Sequence, residues 1–194
     1  MTKTSISRFP IPDLLSLPVD IQELFHDVSN KTGFVPNVFW VMANRPNELR
    51  AFWAYHEALM RRDSGLTKVE REMIVLATSA ENQCLYCVVA HGAILRLYHK
   101  NQMISEDIAV NYRKASISDR QRSMLDFAVK VCRESHLINN EDFRLLHEVG
   151  FDDDDIWDIA ALTSLFALSN RIANVSSMKP NDEFYSLGRG YEFT

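Results

Sequence analysis

LTKVEREMIVLATSAENQCLYCVVAHGAILRLYHK, residues 66–100, is the stretch on which the fold turns. Leu66-Thr67-Lys68-Val69-Glu70 opens it as a capping box. The Thr67 hydroxyl is placed to accept from the Glu70 amide, and the Glu70 carboxylate reaches back to the cap. The spacing predicts a helix over 68–80. Inside it, Met73-Ile74-Val75-Leu76-Ala77 is apolar on every face for more than a turn, the mark of a buried helix and not a surface one. Glu81-Asn82-Gln83 then breaks the run with poor helix formers. A second helix is expected from about Cys84 to Lys100, with residues 84, 87, 88, 91, 94, 95 and 98 sharing a face. Two helices thus flank a short turn.

Outward from this pair the same signature continues. The prolines stand at 10, 12, 18, 36, 46 and 180, so residues 47–179 are free of the residue that breaks helices. No Asn-Gly or Asp-Gly hairpin signal occurs, and period-2 alternation is confined to short stretches such as Phe34 to Val41. The fold is read as all-α, a multihelical bundle in one domain over 1–194 with its core at about 47–175. Helices are expected at about Asp20–Thr32 and Asn47–Arg62, joined through the turn Gly33-Phe34-Val35-Pro36-Asn37. Ser118-Asp119-Arg120-Gln121 is a second capping box, opening a helix with Met124, Phe127, Ala128, Val131 and Cys132 on one face. Asn140-Glu141-Asp142 starts another, stopped near Gly150. Asp152 to Asp155, read as a solvated acidic first turn, leads into a long helix over 156–174. Residues 180–194 are expected to be a loosely held tail.

Composition narrows the function. Hydrophobic residues make up 46% of the 194 and charged residues 24%, an ordinary globular balance. A net charge of -5 with no Lys/Arg run argues against binding to nucleic acid or anionic membrane surfaces. No apolar run approaches the 18 or so residues that span a bilayer, and the opening residues lack a signal-peptide core, so a cytoplasmic location is expected. Three cysteines, Cys84, Cys87 and Cys132, are too few and odd in number for a disulfide framework.

Cys84-Leu85-Tyr86-Cys87-Val88-Val89-Ala90-His91 carries the chemistry. At about 100° per residue, positions 84, 87 and 91 fall within roughly 60° of one another, so two sulfurs and an imidazole line one strip. The first turn of a helix favours thiolate over thiol, and an imidazole one turn on can take the Cys87 proton. If the two helices form an antiparallel hairpin about Asn82, Glu72 lies level with His91 and can hold its ring. The bland readings stay beside this one. Cys132 reads as core. A lone Cys-x-x-Cys admits redox chemistry, metal binding or coincidence, and two thiolates, an imidazole and a carboxylate would make a zinc set, although a chain this rich in apolar helix needs no metal to fold. His26, His56, His99, His136 and His147 read as surface or core filler, and Trp40, Trp53 and Trp157 as core or subunit contacts.

Glu72, eleven residues, Cys84-x-x-Cys87, three residues and His91 together resemble the AhpD-like group of the carboxymuconolactone decarboxylase superfamily, most closely its peroxidase-related branch. Gly33-Phe34-Val35-Pro36-Asn37, Leu66-Thr67-x-x-Glu70-Arg71-Glu72 and Leu168-Ser169-Asn170-Arg171-Ile172-Ala173 resemble the family's pattern too. The resemblance implies an all-α fold, homo-oligomers (trimers, or hexamers as trimers of dimers), and reduction of a hydroperoxide at the expense of a dithiol or protein reductant, with no cofactor. It implies Cys87 as the peroxidatic cysteine, Cys84 as the resolving one, and His91 with Glu72 as a proton relay. Tyr86 stands where well-studied members carry a histidine, and a phenol is a poor base near neutral pH. Lactone-decarboxylating branches lack the cysteine pair, which disfavours that activity. Two alternatives remain: a disulfide carrier serving a partner peroxidase, and a zinc-stabilised structural or binding module.

Overall fold

The computed structural model describes residues 5–190, and among them there are helices and no strands. In chain order they are α1 (Val19–Thr32), α2 (Asn37–Met42), α3 (Pro46–Met60), α4 (Lys68–Glu81), α5 (Leu85–Tyr98), α6 (Ile104–Asn111), α7 (Asp119–Glu134), α8 (Asn140–Glu148), α9 (Asp153–Ser176) and α10 (Glu183–Ser186). The all-α reading holds, and the expected helices appear with ends shifted by one to three residues. The alternating stretch near Phe34 is the exception. Pro36 ends its extended part and residues 37–42 turn into α2.

The bundle is built around α4, which packs against α5, α6, α7 and α9. Met73, Ile74, Val75 and Leu76 are all 0% exposed, as a helix apolar on every face requires. Capping boxes close the N-termini of α4 (Thr67, Glu70), α7 (Ser118, Gln121), α8 (Asn139, Asp142) and α9 (Asp152, Asp155). Each satisfies helix amides that would otherwise be orphaned, worth about 1 kcal/mol. Gly33 and Gly150 stop α1 and α8 at φ 84° and 87°, in the left-handed region where a Cβ is penalised.

Two expectations are corrected here. Asp155 is not a solvated surface charge: it is 4% exposed, accepts from the Asp152 amide, and lies where a Cβ on Gly65 would come within 2.3 Å of its carboxylate. Only a residue without a side chain fits opposite it. Residues 180–190 are also held down. Phe184 is buried, and the Arg96 guanidinium donates to the carbonyls of Phe184 (3.0 Å) and Leu187 (3.1 Å). The last four residues of the expected tail lie outside the described residues.

Apolar side chains form three clusters. The largest surrounds α4, α7 and α9. A second joins α5 to α2, the end of α9 and α10, and contains Cys84 and Cys87. A third unites α1, α2 and α3. The candidate site opens between the second and third.

Candidate active site

The turn after α4 positions the cysteines. Asn82 caps α4, Gln83 takes a left-handed φ of 51°, and Cys84 becomes the N-cap of α5. Cys87 then sits in the first turn and His91 one turn further on. Glu72 is brought alongside by the antiparallel packing of α4 and α5, and its Oε2 lies 2.7 Å from His91 Nδ1. Both groups are largely shielded from water. With a carboxylate as acceptor, Nδ1 carries the proton and Nε2 keeps a lone pair. The His91 ring is fixed edge-on against Phe166, centroids 4.7 Å apart.

A cavity of about 370 Å³ lies above these residues, lined by Cys87, Tyr86, His91 and Ser169 at its base and by Phe39, Phe52, Trp53, His56 and Phe166 along its walls. Asp27, Lys31, Glu57 and Arg61 also border it. Its size and apolar lining suit a small organic molecule. Cys87 borders this chamber, whereas Cys84, 0% exposed, is not among the lining residues.

The two thiols share a proton unequally. A hydrogen bond from the Cys87 thiol is the main influence lowering Cys84 to about 7, opposed by burial and aided by the Cys87 amide and the Asn170 side chain. The same bond, with burial, pushes Cys87 well above the ordinary thiol value. Of the pair, Cys84 is the thiol that ionises first and Cys87 the one that keeps its proton. The ultraviolet absorbance of thiolate in the reduced protein should rise as pH increases, with a midpoint near pH 7, and Cys84→Ser should remove that step. A first midpoint near the ordinary thiol value would contradict the assignment.

Tyr86, expected among the site residues, is tied to a neighbouring helix. Its hydroxyl oxygen accepts from the Val38 amide at 3.1 Å, which ties α5 to α2, and burial pushes the phenol above its ordinary value. It stays protonated and cannot act as a base near neutral pH. Cys132 is only half-buried, contrary to the core reading: its sulfur takes the Asn82 amide at 3.4 Å and lies 3.9 Å from the Thr78 carbonyl oxygen. Trp157 is 69% exposed, consistent with the contact alternative and not with core. Trp40 packs edge-on against Phe25 at 4.7 Å. Among the described residues no three His, Cys, Asp or Glu side chains are grouped to hold a metal ion. The zinc reading has no ligand set there.

Three site residues escaped the sequence reading. Ser169 Oγ lies 3.8 Å from Cys87 Sγ. Asn170, buried beside it on α9, donates to Ser79 (3.0 Å) and accepts from Asn82 (2.9 Å), fastening the turn that carries Cys84. Nothing in α9 sets this pair apart, since Thr163-Ser164 is another adjacent polar pair in the same helix. His56, set aside as filler, lines the chamber, and no sequence spacing links it to the cysteines.

Residues 46–109 match the carboxymuconolactone decarboxylase family. A peroxidase-related protein of Ralstonia eutropha JMP134, described as having an alkylhydroperoxidase AhpD core, is 61% identical, with 96% of this chain and 98% of that chain covered and a TM-score of 0.95. A peroxidase-related protein of Silicibacter sp. TM1040 is 40% identical over 97% of this chain and 99% of that one, TM-score 0.91. The debrominase Bmp8 shares the fold at 16% identity, TM-score 0.75, with 97% and 98% covered. No curated protein matches the chain.

Proposed function

The chain belongs to the AhpD-like group of the carboxymuconolactone decarboxylase superfamily, and from that premise we propose that it is a thiol-dependent peroxidase whose cysteine pair cycles between dithiol and disulfide. The observation that carries this reading is the placement of the two buried sulfurs: Cys87 borders an organic-sized chamber, and Cys84, three residues before it at the N-cap of α5, is not among the lining residues.

In the proposed cycle His91 Nε2 takes the Cys87 proton, with Glu72 holding the ring and stabilising the imidazolium. The Cys87 sulfur attacks the terminal oxygen of the hydroperoxide. The S–O bond forms, the O–O bond breaks, and the alkoxide leaves with the proton from His91 as an alcohol. Cys84 thiolate then attacks Cys87 sulfur, forming the disulfide and breaking the S–O bond, and the displaced hydroxide takes a proton from solvent to leave as water. An external dithiol or protein thiol restores both cysteines. Tyr86 contributes position and not proton transfer.

Counting free thiols before and after one equivalent of organic hydroperoxide tests the cycle. Two of the three thiols should disappear, and a dithiol should bring them back. Disulfide exchange without peroxide consumption would instead select a carrier that serves another peroxidase. Self-assembly belongs to the same reading. The exposed side of α9 carries Trp157, Leu168 and Val175 beside Ser164, with charges at Asp153, Asp154 and Arg171, and these exposed apolar side chains are suited to meeting another copy. Light scattering should give a mass that is a multiple of 22.3 kDa; a mass of one chain would refute this.

A further inference from the structure

The chamber wall contains a histidine that the cysteine chemistry does not use. His56, on α3, is stacked on Trp53 with ring centroids 4.8 Å apart and planes 13° from parallel. It also faces Phe166 at 6.2 Å, the same phenyl ring that fixes His91. Among the described residues its Nδ1 is the one buried side-chain nitrogen or oxygen without a hydrogen-bond partner. Glu57 Oε1 stands 3.6 Å away, beyond hydrogen-bonding range, and Glu57 is engaged by Arg61 at 2.8 Å. Nε2 has no protein partner either but is not sealed, and the open space bordering the ring is the chamber.

Buried polar atoms in folded proteins are nearly always paired; the sealed Nδ1 stays unpaired, and Nε2 is the nitrogen left to meet a guest in the chamber that His56 lines. A phenylalanine would fill the same slot, keep the stack on Trp53 and avoid stranding a polar atom. Burial above all, with His91 and Arg61 acting in the same direction, lowers the imidazole to about 3. At neutral pH the ring is therefore uncharged, with one donor and one acceptor nitrogen. An uncharged imidazole in an apolar wall is suited to grip one oxygen of an otherwise hydrocarbon guest.

Building on the peroxidase reading, we infer that His56 is the polar anchor of the chamber: through Nε2 it hydrogen-bonds an oxygen of an apolar organic hydroperoxide, and of the alcohol left after reduction, while Trp53 and Phe166 enclose the hydrocarbon. The anchor orients the O–O bond toward Cys87 and takes no part in the electron transfer, in which sulfur supplies the pair that breaks O–O and His91 returns the proton.

The test uses the full-length reduced protein and two probes, cumyl alcohol and cumene, which differ by the hydroxyl. Binding is followed by tryptophan fluorescence, with Trp53 as the reporter in the wall, and by calorimetry. His56→Phe should weaken cumyl alcohol binding about tenfold, the worth of one hydrogen bond in a shielded site, with cumene affinity unchanged. His56→Gln, which restores a donor and an acceptor, should recover most of the loss. Melting of His56→Phe should occur no lower than in the wild type. Equal alcohol affinity in wild type and His56→Phe would overturn the inference. So would failure of the wild type to bind either probe, or parallel loss of cumene binding and thermal stability. A wild type that distinguishes the probes through His56 but consumes no hydroperoxide would leave the anchor standing and remove the peroxidase reading.

Discussion

Cys87→Ser should reduce dithiol-driven hydroperoxide consumption to the uncatalysed background, and Cys84→Ser should fail in another way. Cys87 is the sulfur that borders the chamber, so no second thiolate can take over its attack without the site opening. A serine hydroxyl in its place has neither the acidity nor the nucleophilicity of the thiol. Without Cys84, the first turnover proceeds but nothing captures the sulfenic acid, and further peroxide should carry Cys87 to sulfinic acid, which thiols do not reverse. Mass spectrometry of each variant after peroxide treatment reads out both outcomes. Turnover in Cys87→Ser comparable with the wild type, or sulfinic acid accumulating on Cys84 in the wild type, would reverse the assignment of roles.

The second large effect concerns stability. Arg71 is among the largest fully buried side chains, and Asp158 is 0% exposed. The guanidinium donates to the Leu59 carbonyl (2.7 Å), Ser64 Oγ (2.6 Å) and Asp158 Oδ2 (3.3 Å), and Ser64 donates in turn to Asp158 (2.9 Å). Every partner is on a different segment, so the network pins the end of α3 and the following loop to α4 and α9. Asp158→Ala leaves a buried cation without its counter-ion, which costs about 3–5 kcal/mol. At about 2–4 °C per kcal/mol for a domain of this size, the melting temperature should fall by roughly 6–20 °C. Replacing the pair together, Arg71→Met with Asp158→Leu, should recover much of the loss, since the pair's attraction is largely offset by its desolvation. A loss below about 1 kcal/mol in Asp158→Ala would contradict this, because Arg62, 3.3 Å from Asp158, is a second cation that loses the same carboxylate.

The fold was readable wherever local chemistry determines it. The apolar run 73–77 and the boxes at Thr67 and Ser118 located α4 and α7 because capping and all-round burial depend on neighbours in sequence. Of the expected strip, Cys87 and His91 share α5 and both line the chamber, whereas Cys84 is the extended N-cap residue before the helix and does not. Glu72 needed one tertiary step, the hairpin about Asn82, and the 2.7 Å contact bears that step out. Elsewhere the tertiary setting overruled the pattern. Four consecutive aspartates read as a solvated turn, yet Asp155 is enclosed against a glycine from another segment. His56 and Asn170 reach the site only because α3 and α9 fold over α5, and nothing within a few residues of either announces it. The division between the sulfurs was likewise invisible. Helix position favours thiolate at both, and only burial and their mutual hydrogen bond separate them.

The concealment of Cys84 behind Cys87 sets an order of visitors. In the proposed cycle a hydroperoxide entering the chamber would meet one sulfur, and after the disulfide had closed a reductant entering the same way would meet that same sulfur. Oxidant and reductant therefore share a doorway and must come in turn, each excluding the other while inside. On that reading the incoming thiol would also have to reach into a chamber lined by Trp53, Phe52 and Phe39. A cysteine on a flat protein surface would be turned away, whereas a thiol at the end of a flexible arm would pass.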